Sequence, residues 1–252
     1  GSYSIFNYGN NDPADPIQNS LSDQGSDNDV LYGGAGNDSL YGSSGDNTLD
    51  GGTGTDTIFS GAGSDTIVIR SGDGSNTLAD ADVLRDFSDG NDVIGMDGLN
   101  YGDLTIAQGT GDYSNHVLLS LTSSSEYLLM INNTSASNIT APDFSSTSTS
   151  SQSFTGDSSN NTFIGGSGND TFSGSSGSDG LYGHGGDDSF TVSNKSGSYT
   201  DIIDGGSGTD TLTISYTGVT SLADLTFSTD GDYRVLTDSN GGAVKFKSIK
   251  TK

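Results

Sequence analysis

A nine-residue sequence motif, here also called the phrase, recurs along this chain and constrains what it can fold into. Its register runs unbroken through five units over residues 24–68 and through four more over 156–191. An insertion at 192–195 breaks the frame before two final units at 196–204 and 205–213. The clearest copies, which read Gly-Gly-x-Gly-x-Asp-x-(Leu/Ile/Phe)-x, are 33–41, 51–59, 165–173 and 205–213. Self-similarity at a fixed period indicates stacked repeats.

Each position of the phrase has a chemical role. Glycine at positions one, two and four permits the positive φ and close backbone approach that tight turns need. Position eight is apolar in every unit, whereas a disordered tract rich in glycine, serine and aspartate has no reason to keep that phase. Each unit is therefore predicted to be a turn followed by a short strand with one inward side chain. Position six is Asp or Asn throughout: Asp29, Asp38, Asn47, Asp56, Asp65, Asn161, Asp170, Asp179, Asp188, Asp201 and Asp210.

This pattern resembles the RTX family of calcium-binding repeats, whose fold is a parallel β-roll. In that fold two units form one coil, and calcium ions lie between successive coils. The resemblance implies that position-six residues one coil apart share an ion, which allows up to about seven ions. Sites with Asn should bind more weakly, because an amide oxygen adds no charge. The implied pairs are Asp29/Asn47, Asn47/Asp65, Asp38/Asp56, Asn161/Asp179, Asp179/Asp201, Asp170/Asp188 and Asp188/Asp210.

The charge of the chain also favours bound cations. The formal net charge is −25 and only 29% of the residues are hydrophobic, so core burial is poor and self-repulsion is strong. Divalent cations neutralise carboxylates and link the turns, and we therefore expect calcium binding and folding to be coupled. The acidic balance argues against nucleic acid and anionic membranes as partners. The absence of cysteine excludes disulfides and zinc–thiolate sites, and no apolar run is long enough for a membrane-spanning helix.

The segments between and after the repeats are rich in alternating apolar residues. Strands are predicted at 103–108, 116–122 and 126–131, and the segments 82–87 and 92–96 are predicted to pair with each other. These resemble the β-rich segments that end RTX arrays and cap the open end of the roll. The prediction is an all-β protein: a lead-in at 1–23, a β-roll at 24–81, a cap at 82–144, a Ser/Thr linker at 145–155, a second β-roll at 156–213 and a shorter cap at 214–252.

The ends of the chain suggest a piece of a longer protein. Gly1 and Ser2 look like an expression scar, and no signal peptide opens the sequence. By resemblance, the parent is a large bacterial adhesin, toxin or hydrolase that leaves through a type I secretion channel. It would fold on meeting calcium outside the cell, or at the cell surface. The isolated fragment is expected to be a monomer with a structural, spacing and secretion-associated role.

An alternative function is calcium-dependent binding of an extracellular polysaccharide. Position nine points outward and is often aromatic, and Tyr41 and Phe59 should be neighbours on one sheet. The pair could stack against a sugar, as in an accessory module of a secreted enzyme, or it could simply pack between coils. A polyuronate such as alginate would be repelled by the charge of −25 unless calcium bridges the two.

Catalysis is not expected. The chain has two histidines, His116 and His184, and contains neither a nucleophile elbow nor a zinc-protease helix motif. Both histidines are predicted to lie at the surface. A hydrolase would require turnover that is lost when one of them is changed to Ala.

Overall fold

The computed structural model describes residues 4–6, 20–22, 26–193, 195, 197–216, 225–238 and 241–249. Its regular elements within these ranges are β-strands and single 3-10 turns, without an α-helix. These residues accordingly include no helix long and apolar enough to cross a membrane. The chain forms two compact units, Gly1–Phe144 and Ser145–Lys252. The predicted all-β class is confirmed.

The first unit contains strands β1 to β12 and the first residue of β13. One sheet has the order β1-β3-β5-β7-β9-β13 and the other β10-β11-β12-β8-β6-β4-β2. The strands are β1 Ser4–Phe6, β2 Ser20–Ser22, β3 Val30–Ala35, β4 Ser39–Tyr41, β5 Thr48–Thr53, β6 Thr57–Phe59, β7 Thr66–Arg70, β8 Asp82–Leu84, β9 Val93–Asp97, β10 Leu104–Gln108, β11 Val117–Leu121, β12 Tyr127–Ile131 and β13 Phe144–Ser146. The 3-10 turns are Leu78–Asp80, Tyr101–Asp103, Gly111–Tyr113, Ala136–Asn138 and Ala141–Asp143.

Successive nonapeptides alternate between these two sheets. Strands β3, β5 and β7 lie side by side in one sheet and β4 and β6 in the other, all in parallel. Residues at position eight face their equivalents one coil away, as Leu31 faces Leu49 and Leu49 faces Ile67. Leu40 faces Ile58 in the other sheet, and all five side chains are buried. One inward residue per strand thus builds the column of apolar side chains that fills this β-roll.

The start of the first cap differs from the prediction. Strands β8 and β9 do not pair with each other: β8 lies parallel to β6, and β9 lies parallel to β7. Leu84 faces Ile58 and Ile94 faces Ile67, as a further coil would place them. The reason is that Asp82-Val-Leu and Asp92-Val-Ile repeat the Asp-x-apolar part of the nonapeptide, although of its glycines only Gly90, before Asp92, is present. The cap proper follows as the antiparallel strands β10, β11 and β12, which confirms the three predicted strands.

The lead-in also contributes strands. Residues 4–6 pair in parallel with β3, and residues 20–22 pair in parallel with β4. The predicted irregular lead-in is therefore wrong for these two segments. An open sheet edge carries free backbone N–H and C=O groups, which any extended segment can satisfy.

The second unit repeats the design with strands β14 to β23. Its sheets have the orders β14-β16-β18-β20 and β15-β17-β19-β23-β22-β21. Here the column is aromatic, because the rings of Phe154, Phe172 and Phe190 stack at centroid distances of 4.9 and 4.8 Å. The strands are β14 Ser153–Thr155, β15 Thr162–Ile164, β16 Thr171–Ser173, β17 Gly180–Tyr182, β18 Ser189–Ser193, β19 Thr200–Asp204, β20 Thr211–Ser215, β21 Thr226–Asp230, β22 Tyr233–Thr237 and β23 Ala243–Lys247.

The predicted Ser/Thr linker is replaced by the opening coil of this roll. Strand β14 pairs in parallel with β16, so that Phe154 faces Phe172. Residues 147–155 stand in the same nine-residue frame as the units that follow, with threonine or serine where glycine is expected. The polar composition resembles a linker, but the single phenylalanine at position eight is enough to place the segment on the roll.

The two caps share one topology. In the first unit β12 lies parallel to β8 and continues into the antiparallel neighbours β11 and β10. In the second unit β23 lies parallel to the roll strand β19 and continues into the antiparallel neighbours β22 and β21. Each cap thus covers one sheet edge of its roll, which explains why both segments carry alternating apolar residues.

Glycine at position four is required by the spacing of the coils. Gly54 has φ +142°, and a Cβ on it would lie 1.9 Å from the carbonyl oxygen of Gly36 in the preceding coil. Gly168 and Gly177 meet Ser150 and Ser159 in the same way, at 2.5 and 2.3 Å. A side chain cannot fit between turns stacked this closely, and the period of the glycines follows from that contact.

Candidate metal centre

The position-six residues form a continuous ladder along each edge of the rolls. In all seven predicted pairs, the backbone N–H of the first residue donates a hydrogen bond to the side-chain Oδ1 of the residue one coil later. All of these residues are buried except Asn161, which is half-buried. The bonds run from Asp29 to Asn47 (3.0 Å), Asp38 to Asp56 (2.7 Å), Asn47 to Asp65 (2.7 Å), Asn161 to Asp179 (2.9 Å), Asp170 to Asp188 (2.7 Å), Asp179 to Asp201 (3.0 Å) and Asp188 to Asp210 (2.9 Å).

A second ladder runs beside the first with the opposite direction. Here the position-five side chain accepts from the backbone N–H one coil later, as when Asn37 accepts from Thr55 at 3.1 Å. Asn169 accepts from Asp187 at 2.8 Å, and Asp187 accepts from Thr209 at 2.7 Å. Short side chains with an oxygen two bonds from Cβ are needed at both positions, which accounts for the Asn/Asp pairs in the sequence.

In four of the position-six aspartates, the second carboxylate oxygen has no donor among the described residues. Asn47 shows what surrounds this atom: its Nδ2 donates to the carbonyls of Gly42 and Gly45, both at 3.0 Å. At the equivalent place Asp56 Oδ2 lies against Gly51, so an oxygen replaces the amide nitrogen. No donor among the described residues reaches the buried Oδ2 atoms of Asp56, Asp65, Asp188 and Asp201. Buried oxygens without donors are costly, and a cation removes that cost.

Electrostatics indicate the same need. Burial, and after it the negative charge of Asp38, raises the pKa of Asp56 to about 7, although the N–H of Asp38 works against this shift. Burial together with the charges of Asp170 and Asp210 raises the pKa of Asp188 to about 6. Asp65 shifts to about 6, again mainly through burial. Stacked carboxylates in a dry edge resist ionisation, and a bound divalent ion would reverse that tendency.

The donors fit calcium better than other metals. Each edge offers two carboxylates or amides from neighbouring coils, with turn carbonyls such as those of Gly42 and Gly45 beside them. Among the described residues no three His, Cys, Asp or Glu side chains converge on one point, so carbonyls must supply the remaining ligands. Calcium accepts such sets of about 6–8 oxygens, whereas zinc prefers nitrogen and sulfur.

The ladders extend beyond the residues that the motif identifies. Asp56 donates its N–H to Asp82 Oδ1 at 2.8 Å, and Asp65 donates to Asp92 Oδ1 at 3.1 Å. Burial and the charge of Asp56 raise the pKa of Asp82 to about 8. In the second roll the N–H of Gln152 donates to Asp170 Oδ1 at 2.7 Å. The Asp-x-apolar phrase was the available signal for Asp82 and Asp92, and the nine-residue frame was the signal for Gln152.

Other predicted positions have simpler surroundings. His116 is half-buried and its Nδ1 accepts from the N–H of Asn133 at 3.2 Å, while His184 is half-buried at a turn position with φ +67°. Both were predicted to lie at the surface, and both are partly exposed. Tyr41 and Phe59 are neighbours as expected, with nearly parallel rings whose centroids are 5.0 Å apart.

The repeats of this chain match the model of one known family. The family model of the RTX calcium-binding nonapeptide repeat matches the chain in four copies, over residues 23–58, 36–67, 155–190 and 196–213. The chain contains RTX calcium-binding repeats. The matched stretches cover most of the two RTX rolls, but not the coils around Leu84 and Phe154, the insertion at 192–195 or the caps. No curated protein matches the chain in sequence.

Two solved structures are similar to parts of the RTX chain. One is the AlgE6R3 subunit of the Azotobacter vinelandii mannuronan C5-epimerase, at 22% identity and a TM-score of 0.40, covering 57% of this chain and 79% of that one. The other is the extracellular lipase LipA from Serratia marcescens, at 18% identity and a TM-score of 0.27. That match covers 90% of this chain but only 37% of the lipase.

Proposed function

We propose that the chain is a calcium-binding RTX module of a larger secreted bacterial protein, and that its rolls fold when they meet extracellular calcium. The observation that carries the proposal is the set of buried carboxylate oxygens without donors, of which Asp56 and Asp188 are the clearest. Each lies between two coils, where a cation would join one turn to the next. The role we propose for the module is structural and non-catalytic.

The ions would be held by the position-six side chains and the adjacent turn carbonyls. The proposed edges are Asp29/Asn47, Asn47/Asp65, Asp38/Asp56, Asn161/Asp179, Asp170/Asp188 and Asp188/Asp210. When bound, calcium supplies two positive charges and links adjacent coils. The chain itself supplies preorganised oxygens, because the ladder bonds to Oδ1 fix each carboxylate and direct its Oδ2 into the edge.

Folding that depends on calcium would serve secretion. A chain with a formal charge of −25 and few apolar residues lacks the driving force to fold where calcium is scarce. It can therefore stay extended during export and become compact outside the cell. Location outside the cell, passage through a type I channel and the adhesin, toxin or hydrolase nature of the parent are parts of this proposal.

A calcium titration tests the proposal directly. Far-UV circular dichroism and small-angle scattering should show β structure and compaction as calcium rises to millimolar levels, and chelator should reverse both. Magnesium at the same concentration is the control, because it demands shorter bonds and keeps its waters. A chain that is equally folded with chelator and with calcium would refute coupled folding.

A second candidate function rests on one observation, the exposed ring pair. Tyr41 is 38% exposed and stacks on Phe59, so the outer face of one sheet carries two nearly parallel rings. Such a surface suits a sugar ring of a polysaccharide. The test is polysaccharide binding in calcium by the Tyr41→Ala/Phe59→Ala variant. Tyr32→Ala is the matched control, since Tyr32 is 36% exposed at the same repeat position but faces Asp50 across the strands.

A further inference from the structure

One edge of the second roll already contains a positive charge. Lys195, the last residue of the insertion that breaks the frame, places its Nζ 2.6 Å from Asp201 Oδ1 and 2.8 Å from Asp179 Oδ2. It also donates to the carbonyl of Gly177 at 3.0 Å and lies 4.9 Å from the ring centroid of Tyr199. The ammonium therefore sits between two position-six carboxylates of successive coils.

The burial of this lysine distinguishes it from the other cations. Its side chain is 3% exposed, whereas the side chains of Arg70, Lys245 and Lys247 in their ion pairs are 30%, 32% and 33% exposed. Lysine is almost never buried unless it is paired, because its charge loses hydration. Here both partners are buried as well, at 0% and 1% exposure of their side chains. The contact is part of the interior of the edge, not a surface ion pair.

The three oxygens that Nζ contacts are of the types proposed to hold calcium elsewhere. Asp179 and Asp201 are position-six residues one coil apart, and Gly177 is at position four. In the first roll the carbonyl of Gly45, also at position four, accepts from Asn47 Nδ2 at 3.0 Å. In both places a nitrogen donor contacts oxygens of the edge, but only Lys195 also brings a positive charge to them.

We infer that Lys195 is a built-in substitute for calcium, which neutralises the Asp179/Asp201 edge and excludes the ion from it. The inference rests on the proposed function, since it assumes that the other edges bind calcium. A calcium ion in this position would have to expel the ammonium, because both cations require the same carboxylate oxygens. The insertion that interrupts the repeat thus exchanges one metal site for a covalently attached charge.

Counting bound ions tests the inference. Native mass spectrometry at saturating calcium should find one more ion on Lys195→Met, which keeps the length of the side chain and removes its charge, than on the natural chain. Asp201→Asn, a second variant, should bind as many ions as the natural chain. Asp188→Asn is the control for a calcium edge: at the lowest calcium concentration that saturates the natural chain, its weakened edges should leave it with at least one ion fewer.

The possible results separate the inference from the proposed function. If Asp188→Asn loses an ion and Asp201→Asn loses one too, calcium does occupy the Asp179/Asp201 edge and the inference is wrong. An unchanged count for a folded Lys195→Met also contradicts it, because exclusion by the lysine would then have no effect. If the natural chain binds no calcium and Asp188→Asn changes nothing, the proposed function itself fails. Should Lys195→Met fail to fold, Asp201→Asn decides alone.

Discussion

The backbone N–H of Asp170 donates a 2.7 Å hydrogen bond to Oδ1 of Asp188, one coil further along the second roll. Asp188 in turn donates its own N–H to Asp210 Oδ1 at 2.9 Å. Asp188 therefore takes part in two successive ladder bonds, through its Oδ1 in one and its N–H in the other. Its Oδ2 remains buried without a donor among the described residues. Asp188 is the position at which the ladder and the proposed calcium sites can be separated experimentally.

We predict that Asp188→Asn raises the calcium concentration at the folding midpoint by about tenfold, equivalent to about 1.4 kcal/mol. The amide oxygen can keep the ladder bond, but it removes a negative charge from two proposed sites. Asp187→Asn is the matched control, because Asp187 is exposed and its Oδ1 only accepts from Thr209. Circular dichroism against calcium measures both midpoints. Equal midpoints would mean that Asp188 serves the ladder alone.

Acid should favour the calcium-free fold. Burial in the folded chain raises the pKa of Asp56 to about 7, whereas the ordinary value for an exposed Asp is 3.8. Between these values the folded chain binds more protons, so the free energy of unfolding falls as pH rises through this window. Without calcium, β structure should therefore increase as pH is lowered from 8 to about 4.

Calcium must compete with the same protons. The calcium concentration that half-fills the sites should rise as pH falls below about 7, because Asp56 then has to release a proton before it can bind the ion. Bound calcium counted by native mass spectrometry at pH 8, 7, 6 and 5 gives the slope. Asp56→Asn should reduce that slope. A slope that is unaffected by this substitution would assign the pH dependence to other carboxylates.

Gly54→Ala should destabilise the first roll severely. The new Cβ would meet the carbonyl oxygen of Gly36 at 1.9 Å, and only separation of the coils could relieve the clash. We expect a loss of at least about 4 kcal/mol, the range of exceptional point mutations. Gly72→Ala is the control: φ is +96° there, but nothing lies within 4 Å of its Cβ. It should lose about 1–3 kcal/mol through backbone strain alone. Urea unfolding in calcium compares the two, and similar losses would rule out the clash.

Phe172→Ala should destabilise the second roll by about 3–5 kcal/mol. The ring is fully buried and stacks between Phe154 and Phe190, so its removal leaves a cavity in the middle of the column. Phe172→Leu should cost less, since Leu49 fills the same repeat position in the first roll. Urea unfolding in calcium is again the measurement. A loss below about 1 kcal/mol for the Ala variant would show that the column relaxes into the gap.

The sequence predicts most of this fold because each coil repeats one local pattern. A period of nine with an apolar residue at position eight fixes strand length, direction and the inward face, so Leu49 and Ile67 could be paired without a structure. The same spacing brings Asp170 and Asp188 to one edge. The nine-residue motif determines contacts within one coil and between that coil and the next. The structure agrees with the sequence wherever the contacts are of this kind.

The differences arise where the pattern is incomplete or where contacts depend on the whole fold. Asp82 and Asp92 extend the ladders although most of the glycines that mark a repeat are missing before them. Gln152 extends a ladder from a segment that resembles a linker. Lys195 could not be identified from the sequence, because no motif in the insertion indicates that this side chain will contact the Asp179/Asp201 edge. Its partner Asp201 carries the ordinary signature of the repeat.

The crowding at position four acts in one direction along the chain. Gly168 and Gly177 are pressed by the carbonyls of Ser150 and Ser159, which belong to the opening coils of the second roll and are not glycines themselves. A coil needs glycine at position four only when another coil precedes it. The coils that begin an array have no preceding coil, so this position can change there during evolution without a clash. Genome surveys that recognise such arrays by their glycines will therefore place the starting boundary too late and underestimate array length.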